Sequence, residues 1–363
     1  MSDLTTAELS RIVSVLEFEA VARERMTGPA FDYVAGGVWD EVTLGENVEA
    51  WRRFRFLPRV LGDTRRPSLA GSFLGRASAM PLAIAPMAAM ALGHSDAEGG
   101  MARAAAAAGI PICLSTSASS TLEDVAAAAA DGDRFFQLYL VRDLGYSRSL
   151  VERAAAAGYR AIVLTVDLPV LGYRERDRRS GFALPAMPMV EGADARDDRR
   201  YGGLEEQREV GLSWATVEAI RAWTSLPLVL KGILSPADAA LAAEAGVAGI
   251  AVSNHGARQL DRVMATAEAL RPIVDAVAGR TEIWVDGGIR RGLDIAIALA
   301  LGATGVLVGR PMYWALAAGG QAGVERAIAI LREELELAVQ LLGRRSVADL
   351  GRDLLADGSR RAV

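Results

Sequence analysis

The chain has 363 residues, of which 51% are hydrophobic and 23% are charged, and its formal net charge is −5. This composition is typical of a globular protein with an ample core, and the acidic balance argues against a nucleic-acid partner. No apolar run approaches the roughly 20 residues of a membrane-spanning helix, and we find no secretory signal. Because the single cysteine, Cys113, provides neither an intrachain disulfide nor a metal cluster, we expect a cytoplasmic protein without a metal site or a membrane contact.

Residues 1–79 carry helical patterns around Leu9–Glu24 and Pro29–Tyr33, and they are predicted to form an N-terminal helical extension. Eight short apolar runs follow, separated by alanine-rich helical stretches. Continuous apolar runs are typical of parallel strands that are covered on both faces. The predicted strands are Met80–Pro86, Ile110–Ser115, Phe135–Leu140, Ala161–Asp167, Pro227–Lys231, Gly249–Ser253, Glu282–Asp286 and Gly305–Gly309.

The segments between these runs, such as Ala97–Ala108, Ser235–Ala245 and Gly292–Leu301, are predicted helices. Eight β–α units in series predict an α/β fold of the (β/α)₈ (TIM) barrel type, with its core at 80–320 of a single domain, 1–363. A doubly wound open sheet is the alternative. It normally has fewer strands and a glycine fingerprint after the first of them, which MPLAIAPM lacks.

Two further segments complete the chain. The long stretch 168–212 follows the fourth strand and is predicted to be a mobile lid loop over the catalytic mouth. Residues 321–363 are predicted to form a C-terminal helix, with its amphipathic pattern over Val324–Leu342, and a tail that frays over the last dozen residues.

Polar residues cluster at the carboxyl ends of the predicted strands, where active sites of such barrels lie. At the last two strand ends, the DGGIR motif at Asp286–Arg290 is followed some twenty residues later by Gly309 and Arg310. Glycines let backbone N–H groups approach an anion, and arginines supply charge-assisted bonds. This pair of strand ends predicts a phosphate site.

His255 follows the sixth strand directly and is one of two histidines in the chain. Its place on the rim favours a catalytic base, and Asp167 from the fourth strand could orient its ring. His94, in the loop after the first strand, is the less favoured alternative.

Lys231 ends an apolar strand, so its ammonium needs an anionic partner. A Schiff-base lysine and a charge partner for a cofactor both remain open. Arg258 and Arg174 could each bind a carboxylate through two parallel hydrogen bonds, and for Arg174 the alternative is one charge of a solvated run.

The segment SNHGARQLD at 253–261 resembles the signature of the FMN-dependent 2-hydroxy acid oxidases and dehydrogenases, a family that includes glycolate oxidase, lactate oxidase, hydroxymandelate oxidase and mandelate dehydrogenase. The resemblance extends over nearly the whole chain. It includes FDYVAGG at 31–37, IAPMA at 84–88, RFFQLY at 134–139, LTVDLP at 164–169, LVLKGI at 228–233, DGGIRRG at 286–292 and ALGATGVLVGRP at 300–311.

The resemblance implies that FMN is the cofactor. It places one group of residues along the flavin ring and its polar edge, namely Pro86, Met87, Ala88, Ser115, Gln137, Thr165 and Lys231. Lys231 would also stabilise the negative charge of the reduced ring. A second group would hold the ribityl chain and phosphate, namely Ser253, Asp286, Gly287, Gly288, Arg290, Gly309 and Arg310.

The same resemblance assigns the substrate carboxylate to Arg258, Arg174 and Tyr33 and the substrate oxygen to Tyr139. His255 would take a proton with the help of Asp167. Whether that proton leaves carbon or oxygen stays open.

Small-substrate members of the family often carry tryptophan at the position of Ser117 and threonine at that of Met87. In addition, GYRERD at 172–177 is more similar to mandelate-type members. We therefore expect Ser117 to border a pocket for a substrate larger than glycolate.

These observations predict an (S)-2-hydroxy-acid oxidase that acts on an aromatic or medium-chain acid and reduces O₂ to hydrogen peroxide. The resemblance also implies a homotetramer or homo-octamer. Three alternatives stay open: a dehydrogenase that passes electrons to a quinone or protein acceptor, another FMN barrel such as a type 2 isopentenyl diphosphate isomerase, and a barrel retained as an interaction scaffold.

Overall fold

The computed structural model describes residues 3–185, 187–191, 209 and 211–356 of the chain. Eight parallel strands close into a barrel, in which the last strand pairs with the first through Val306 and Leu82. A two-stranded hairpin precedes the barrel, so the hairpin strands are β1 (Gly71–Phe73) and β2 (Arg76–Ser78). The barrel strands are β3 (Leu82–Ile84), β4 (Ile112–Ser115), β5 (Arg134–Leu138), β6 (Ile162–Thr165), β7 (Leu228–Ile233), β8 (Gly249–Val252), β9 (Glu282–Val285) and β10 (Gly305–Val308). The predicted (β/α)₈ fold is confirmed.

Helices precede, connect and follow the barrel strands. The first four are α1 (Thr6–Arg11), α2 (Glu17–Arg25), α3 (Gly28–Ala35) and α4 (Val42–Arg52). The next five are α5 (Ala97–Ala108), α6 (Leu122–Ala128), α7 (Leu144–Ala156), α8 (Glu175–Ser180) and α9 (Pro188–Glu191). The last five are α10 (Trp214–Trp223), α11 (Pro236–Glu244), α12 (Thr266–Val277), α13 (Gly292–Leu301) and α14 (Arg310–Leu341).

The barrel interior is layered because successive strand residues alternate between its inside and its outside. An apolar layer is built around Phe135 and Trp284, whose rings stack at 5.4 Å. Phe73 of the β1–β2 hairpin packs edge-on to Trp284 and closes the amino end. Two residues further along six of the eight strands, the same inward face carries a polar side chain instead, which places a polar layer at the carboxyl end. These residues are Ser115, Gln137, Thr165, Lys231, Ser253 and Asp286.

The helical pattern around Leu9–Glu24 corresponds to two helices in the structure, α1 and α2. The chain becomes extended at Ile12. The Ile12 carbonyl, which leaves the helix at this point, accepts two hydrogen bonds from Arg326 on α14. A tertiary contact therefore satisfies the backbone group that a continuous helix would have used.

The C-terminal helical pattern is the second half of α14. The helix kinks at Gly319 and Gly320, and Gly320 has φ +56° and ψ −141°, a conformation that favours glycine. Beyond it, residues 352–356 were predicted to fray, and this was wrong. Leu354 is fully buried and Leu355 bridges to Phe56. The remainder of that tail, 357–363, lies outside the described residues.

The loop after β6 is described in part. Met187 is buried and packs with Ala88, Ala89 and Leu92, so this section of the loop covers the carboxyl end of β3. The lid prediction for 168–212 also falls on residues 186, 192–208 and 210, which lie outside the described residues. The mobility of this loop stays a prediction.

Candidate active site

A row of buried polar side chains crosses three neighbouring strands at the carboxyl end of the barrel. Ser115 Oγ donates to Gln137 Oε1 at 3.0 Å, and Gln137 Nε2 donates to Thr165 Oγ1 at 3.0 Å. All three side chains are almost completely buried. Their order is set by the strand register, which pairs Ser115 with Gln137. The row therefore presents an ordered line of hydrogen-bonding groups to the barrel mouth.

The polar row continues on the next strands with an ammonium group. Lys231 Nζ donates to Ser253 Oγ at 3.0 Å and lies 3.2 Å from Asp286 Oδ2. Burial opposes its charge, but Asp286 and Asp167 raise the pKa of Lys231 well above its ordinary value. A Schiff-base nucleophile requires the neutral amine, so this environment favours the charge-partner alternative.

The sequence pattern predicted a strand that ends at Lys231, but the strand is longer in the structure. β7 continues to Ile233 through a register shift against β8, and Gly232 has φ +111°. A Cβ atom at Gly232 would lie 2.5 Å from the Asp167 carboxyl carbon. Glycine at this bulge therefore allows Asp167 to approach the strand.

The turn after β8 has an unusual backbone. His255, Gly256 and Ala257 all adopt left-handed conformations, with φ of +58°, +62° and +61°. Such conformations are costly for residues with a Cβ atom and persist where the surroundings hold them. Here Asn254 holds the turn, because its side chain accepts from Ala257 N and exchanges two hydrogen bonds with the Asn47 amide. The turn carries His255 into the barrel mouth.

His255 lies between a carboxylate and a phenol. Its Nδ1 is 3.0 Å from Asp167 Oδ1 and its Nε2 is 3.2 Å from the Tyr139 hydroxyl. An ionised carboxylate only accepts hydrogen bonds, so Nδ1 carries the proton and Nε2 is the basic nitrogen. Burial lowers the pKa of His255 below its ordinary value, although Asp167 opposes this. Burial raises the pKa of Asp167, but the charges of His255 and Lys231 outweigh it and keep that pKa low.

Two arginines meet at Tyr33 of α3. The Arg258 guanidinium lies 4.7 Å from the centre of the Tyr33 ring and that of Arg174 lies 5.9 Å from it. Arg258 Nη1 donates to the Tyr33 and Gly36 carbonyls, which orients it. Arg174 is 8% exposed, and its Nε is buried with no hydrogen-bond partner among the described residues. Arg174 is therefore not a member of a solvated charge run, and the pair suits a carboxylate.

The loops after β3 and β4 form another wall of the mouth. Pro86, Met87 and Ala88 are half-buried there, and Ala89 N donates to the Ser117 carbonyl at 2.9 Å. Buried Glu98 of α5 joins the two loops, because it accepts from the backbone N–H groups of Met90 and Ser119 and from Ser120 Oγ. Sequence analysis missed Glu98. Its one signal was a lone acidic residue at the start of an alanine-rich helix.

The turn after β9 is the first half of the predicted phosphate site. Gly287 and Gly288 have φ of +88° and +80°. A Cβ atom at Gly288 would lie 1.8 Å from the Asn47 carbonyl oxygen, so only glycine fits beside α4. Arg290 follows with its guanidinium 5.3 Å from the centre of the Trp314 ring.

The structure directs the Arg310 side chain differently from Arg290. Arg310 donates to the carbonyls of Val34, Gly36 and Gly256, at 2.8 to 2.9 Å. Its guanidinium therefore ties the end of α3 to the histidine turn. At the start of α14, next to Gly309, the backbone N–H of Arg310 has no intrahelical acceptor and provides a further donor for an anion.

The residues present fit an FMN group by two tests. Burial lowers the pKa of Arg290 to about 10, and burial with the neighbouring charges of Arg258 and Arg290 lowers that of Arg310 well below its usual range. This excess of positive charge suits a phosphate dianion. Asp286 Oδ1 is buried with no partner among the described residues, which suits the hydroxyl donor of a ribityl chain.

His94 lies outside this site. Its Nε2 is 2.9 Å from Asp3 Oδ1, and its Nδ1 accepts from the Asp96 backbone at 3.0 Å. These contacts connect the N-terminus to the loop before α5, which is a structural role. Within the described ranges, no group of three or more histidine, cysteine or acidic side chains could hold a metal ion. Nor does any described helix combine the length and hydropathy needed to cross a membrane.

The fold and the site define a flavin-dependent (β/α)₈ oxidoreductase. The family model for the FMN-dependent dehydrogenase matches residues 22–357. Glycolate oxidase 1 of Oryza sativa subsp. indica is 45% identical over 353 residues, which cover 95% of each chain. L-lactate oxidase of Nostoc sp. is 44% identical over 360 residues, which cover 96% of this chain and 99% of that protein.

Solved structures agree with this assignment. Crystal structures of mandelate oxidase with (S)-2-phenylpropionate and with (S)-4-hydroxymandelic acid match with TM-scores of 0.86 and 0.88. Both are 44% identical, over 95% of this chain and 98% of theirs. The chain therefore belongs to the family of FMN-dependent 2-hydroxy acid oxidases and dehydrogenases, its cofactor is FMN, and it catalyses FMN-dependent oxidation of a 2-hydroxy acid. This membership also excludes the isomerase and the scaffold as alternatives.

Proposed function

We propose that the protein oxidises an (S)-2-hydroxy acid larger than glycolate to the 2-oxo acid and reduces O₂ to hydrogen peroxide. The observation that carries the proposal is the juxtaposition of the His255–Asp167–Tyr139 group with the two arginines at Tyr33. A base and a carboxylate site at one mouth are what a 2-hydroxy acid requires. FMN, when bound, accepts the two electrons that leave the substrate carbon.

Each side chain of this group has one task. Arg258 and Arg174 bind the carboxylate, and Tyr33 borders them. Tyr139 donates to the substrate oxygen, while His255 removes a proton through Nε2. Asp167 holds the ring and stabilises the imidazolium that forms.

The polar layer would hold the cofactor. The hydrogen-bonded row Ser115, Gln137 and Thr165 would meet the polar edge of the ring. Lys231 would supply a fixed positive charge there, held by Asp286. The remaining proposed contacts are Pro86, Met87, Ala88, Ser253, Gly287, Gly288, Arg290, Gly309 and the backbone of Arg310.

Substrate size provides one prediction. Ser117 is 3% exposed on the loop that borders Ala89, and it has little volume of its own. Each methylene that a larger substrate buries contributes about 0.8 kcal/mol, so kcat/KM for mandelate should exceed that for glycolate by at least about tenfold. Ser117→Trp should depress mandelate turnover and spare glycolate turnover.

Ser117→Ala is the matched control, because it removes the hydroxyl and adds no volume. It should keep the preference of the wild type in kcat/KM measurements on both acids. A wild type that prefers glycolate, or a tryptophan variant with the same preference as wild type, would show that the pocket is small.

The pH profile provides another prediction. The catalytic base must be neutral, so kcat/KM should fall with acidification through a pKa below the ordinary histidine value. Asp167 raises the pKa of His255, so Asp167→Asn should move this acid limb to still lower pH and reduce the plateau rate. The measurement is kcat/KM between pH 4.5 and 8, where an unmoved limb in the variant would contradict the assignment of the base.

The proposed function itself is tested by mixing the yellow holoenzyme with a panel of (S)-2-hydroxy acids without oxygen. Bleaching of the flavin by mandelate or a medium-chain acid, followed by rapid recovery and H₂O₂ formation on admission of air, is expected. Bleaching with slow recovery in air but rapid turnover with an artificial acceptor would instead identify a dehydrogenase.

The cytoplasmic location and the homotetrameric or homo-octameric assembly stay predictions.

A further inference from the structure

Asp177 of α8 lies close to the two arginines of the proposed carboxylate site. Its Oδ2 is 4.0 Å from Arg174 Nη1, and both side chains are largely buried, at 18% and 10% exposure. This distance is too long for a hydrogen bond, so Asp177 acts on Arg174 through its charge and leaves the guanidinium N–H groups available. The sequence motifs assigned no role to this residue.

The charge of Asp177 also acts on Arg258. Burial and the neighbouring Arg174 lower the pKa of Arg258 to about 10, while Asp177 and Tyr33 oppose this effect. Two like charges that repel each other in a buried site are stabilised by any nearby anion. Asp177 is such an anion within the protein, and the carboxylate of a substrate would be a second one.

The position of Asp177 does not depend on these arginines. The preceding residue, Arg176, forms ion pairs with Asp32 and Glu41. Glu41 in turn accepts from the Gly37 backbone at 2.8 Å, and these contacts join α8 to the segment around α3. A change of charge at residue 177 therefore leaves the helix anchored.

We propose that Asp177 is an internal counter-ion that competes with the substrate carboxylate for Arg174 and Arg258 and thereby sets how tightly this site binds carboxylates. The inference rests on the proposed function of the two arginines. The carboxylate does not change during the reaction, so Asp177 weakens the binding of substrate and product alike. Removal of its charge should lower KM and product Kd together and should not raise kcat.

The test compares Asp177→Asn with the wild-type holoenzyme. The probe is benzoylformate, a 2-oxo acid, with its neutral amide as the second ligand, and binding is measured from the change in flavin absorbance. The variant should bind the acid about fivefold more tightly or better, which corresponds to about 1 kcal/mol, and should bind the amide as the wild type does. If Asp177 served only in packing, its replacement would change the affinities for the acid and for the amide in the same direction.

Two matched variants complete the experiment. Asp177→Glu keeps the charge and should bind the acid like the wild type. Glu175→Gln removes a charge from the same helix. Glu175 is half-buried and pairs with the exposed Arg179, and this variant should leave both affinities unchanged because that partner and the solvent screen its charge.

The outcomes separate this inference from the proposed function. If the wild type binds benzoylformate and Asp177→Asn binds it no more tightly, the counter-ion role is wrong and the proposed function stands. If the wild type binds neither benzoylformate nor any other 2-oxo acid, the proposed carboxylate site is wrong and the inference falls with it.

Discussion

His255→Ala should retain FMN and lose reduction of the flavin by substrate by about three orders of magnitude or more. Removal of a general base typically costs roughly 10²–10⁴-fold, and the loss is larger when the base acts as a unit with an orienting carboxylate. His255 and Asp167 form such a unit, since Asp167 Oδ1 lies 3.0 Å from His255 Nδ1 and orients the ring with Nε2 beside the Tyr139 hydroxyl. Single-turnover bleaching without oxygen measures this step directly.

His94→Ala is the natural control, because the chain has two histidines and His94 contacts Asp3 and Asp96 away from the mouth. It should bleach at the wild-type rate. A bound-flavin spectrum like that of the wild type would show that His255→Ala has kept its fold and its cofactor. Bleaching of His255→Ala at close to the wild-type rate would mean that another group is the base.

Arg258→Lys should raise KM for the 2-hydroxy acid by about 30-fold while kcat falls less, because a charged hydrogen bond is worth about 1.5–3 kcal/mol. The planar guanidinium donates to the Tyr33 and Gly36 carbonyls and still has N–H groups for a ligand. A lysine ammonium is a single point charge that cannot span the same set of acceptors. Steady-state kinetics at saturating oxygen separate the two parameters.

Arg262→Lys is the matched control, since Arg262 follows in the same loop but forms an exposed ion pair with Asp40. Its kinetics should match those of the wild type. A value of KM for Arg258→Lys that is indistinguishable from wild type would place the carboxylate elsewhere in the mouth.

Much of the barrel and of its polar layer could be predicted because both follow from local patterns. A continuous apolar run of four to eight residues is a short buried strand whichever way the chain later folds. Since side chains alternate along a strand, Phe135 and Gln137 share a face, as do Trp284 and Asp286. Once the strands are placed, the polar residue at each end must face the mouth. For this reason the strand pattern alone predicts that Gln137 and Asp286 lie at the mouth, whereas their proposed roles beside FMN come from the resemblance to the family.

Contacts between distant segments could not be read in this way. Tyr33 lies some 140 residues before Arg174 and more than 220 before Arg258, yet the three meet because α3 packs over the barrel mouth. The Asn47–Asn254 pair that holds the histidine turn has the same long-range origin. No periodicity encodes such pairs, because each member belongs to a different local pattern.

Tertiary packing also decided the direction in which the Arg310 side chain points. The pattern of glycine and arginine at the last two strand ends predicts an anion site, since that prediction depends only on residue types and on their order along the chain. It did not show that the Arg310 guanidinium donates to the carbonyls of Val34, Gly36 and Gly256. Those carbonyls come from α3 and the histidine turn, and only close packing of both against α14 brings them within hydrogen-bond distance of one arginine.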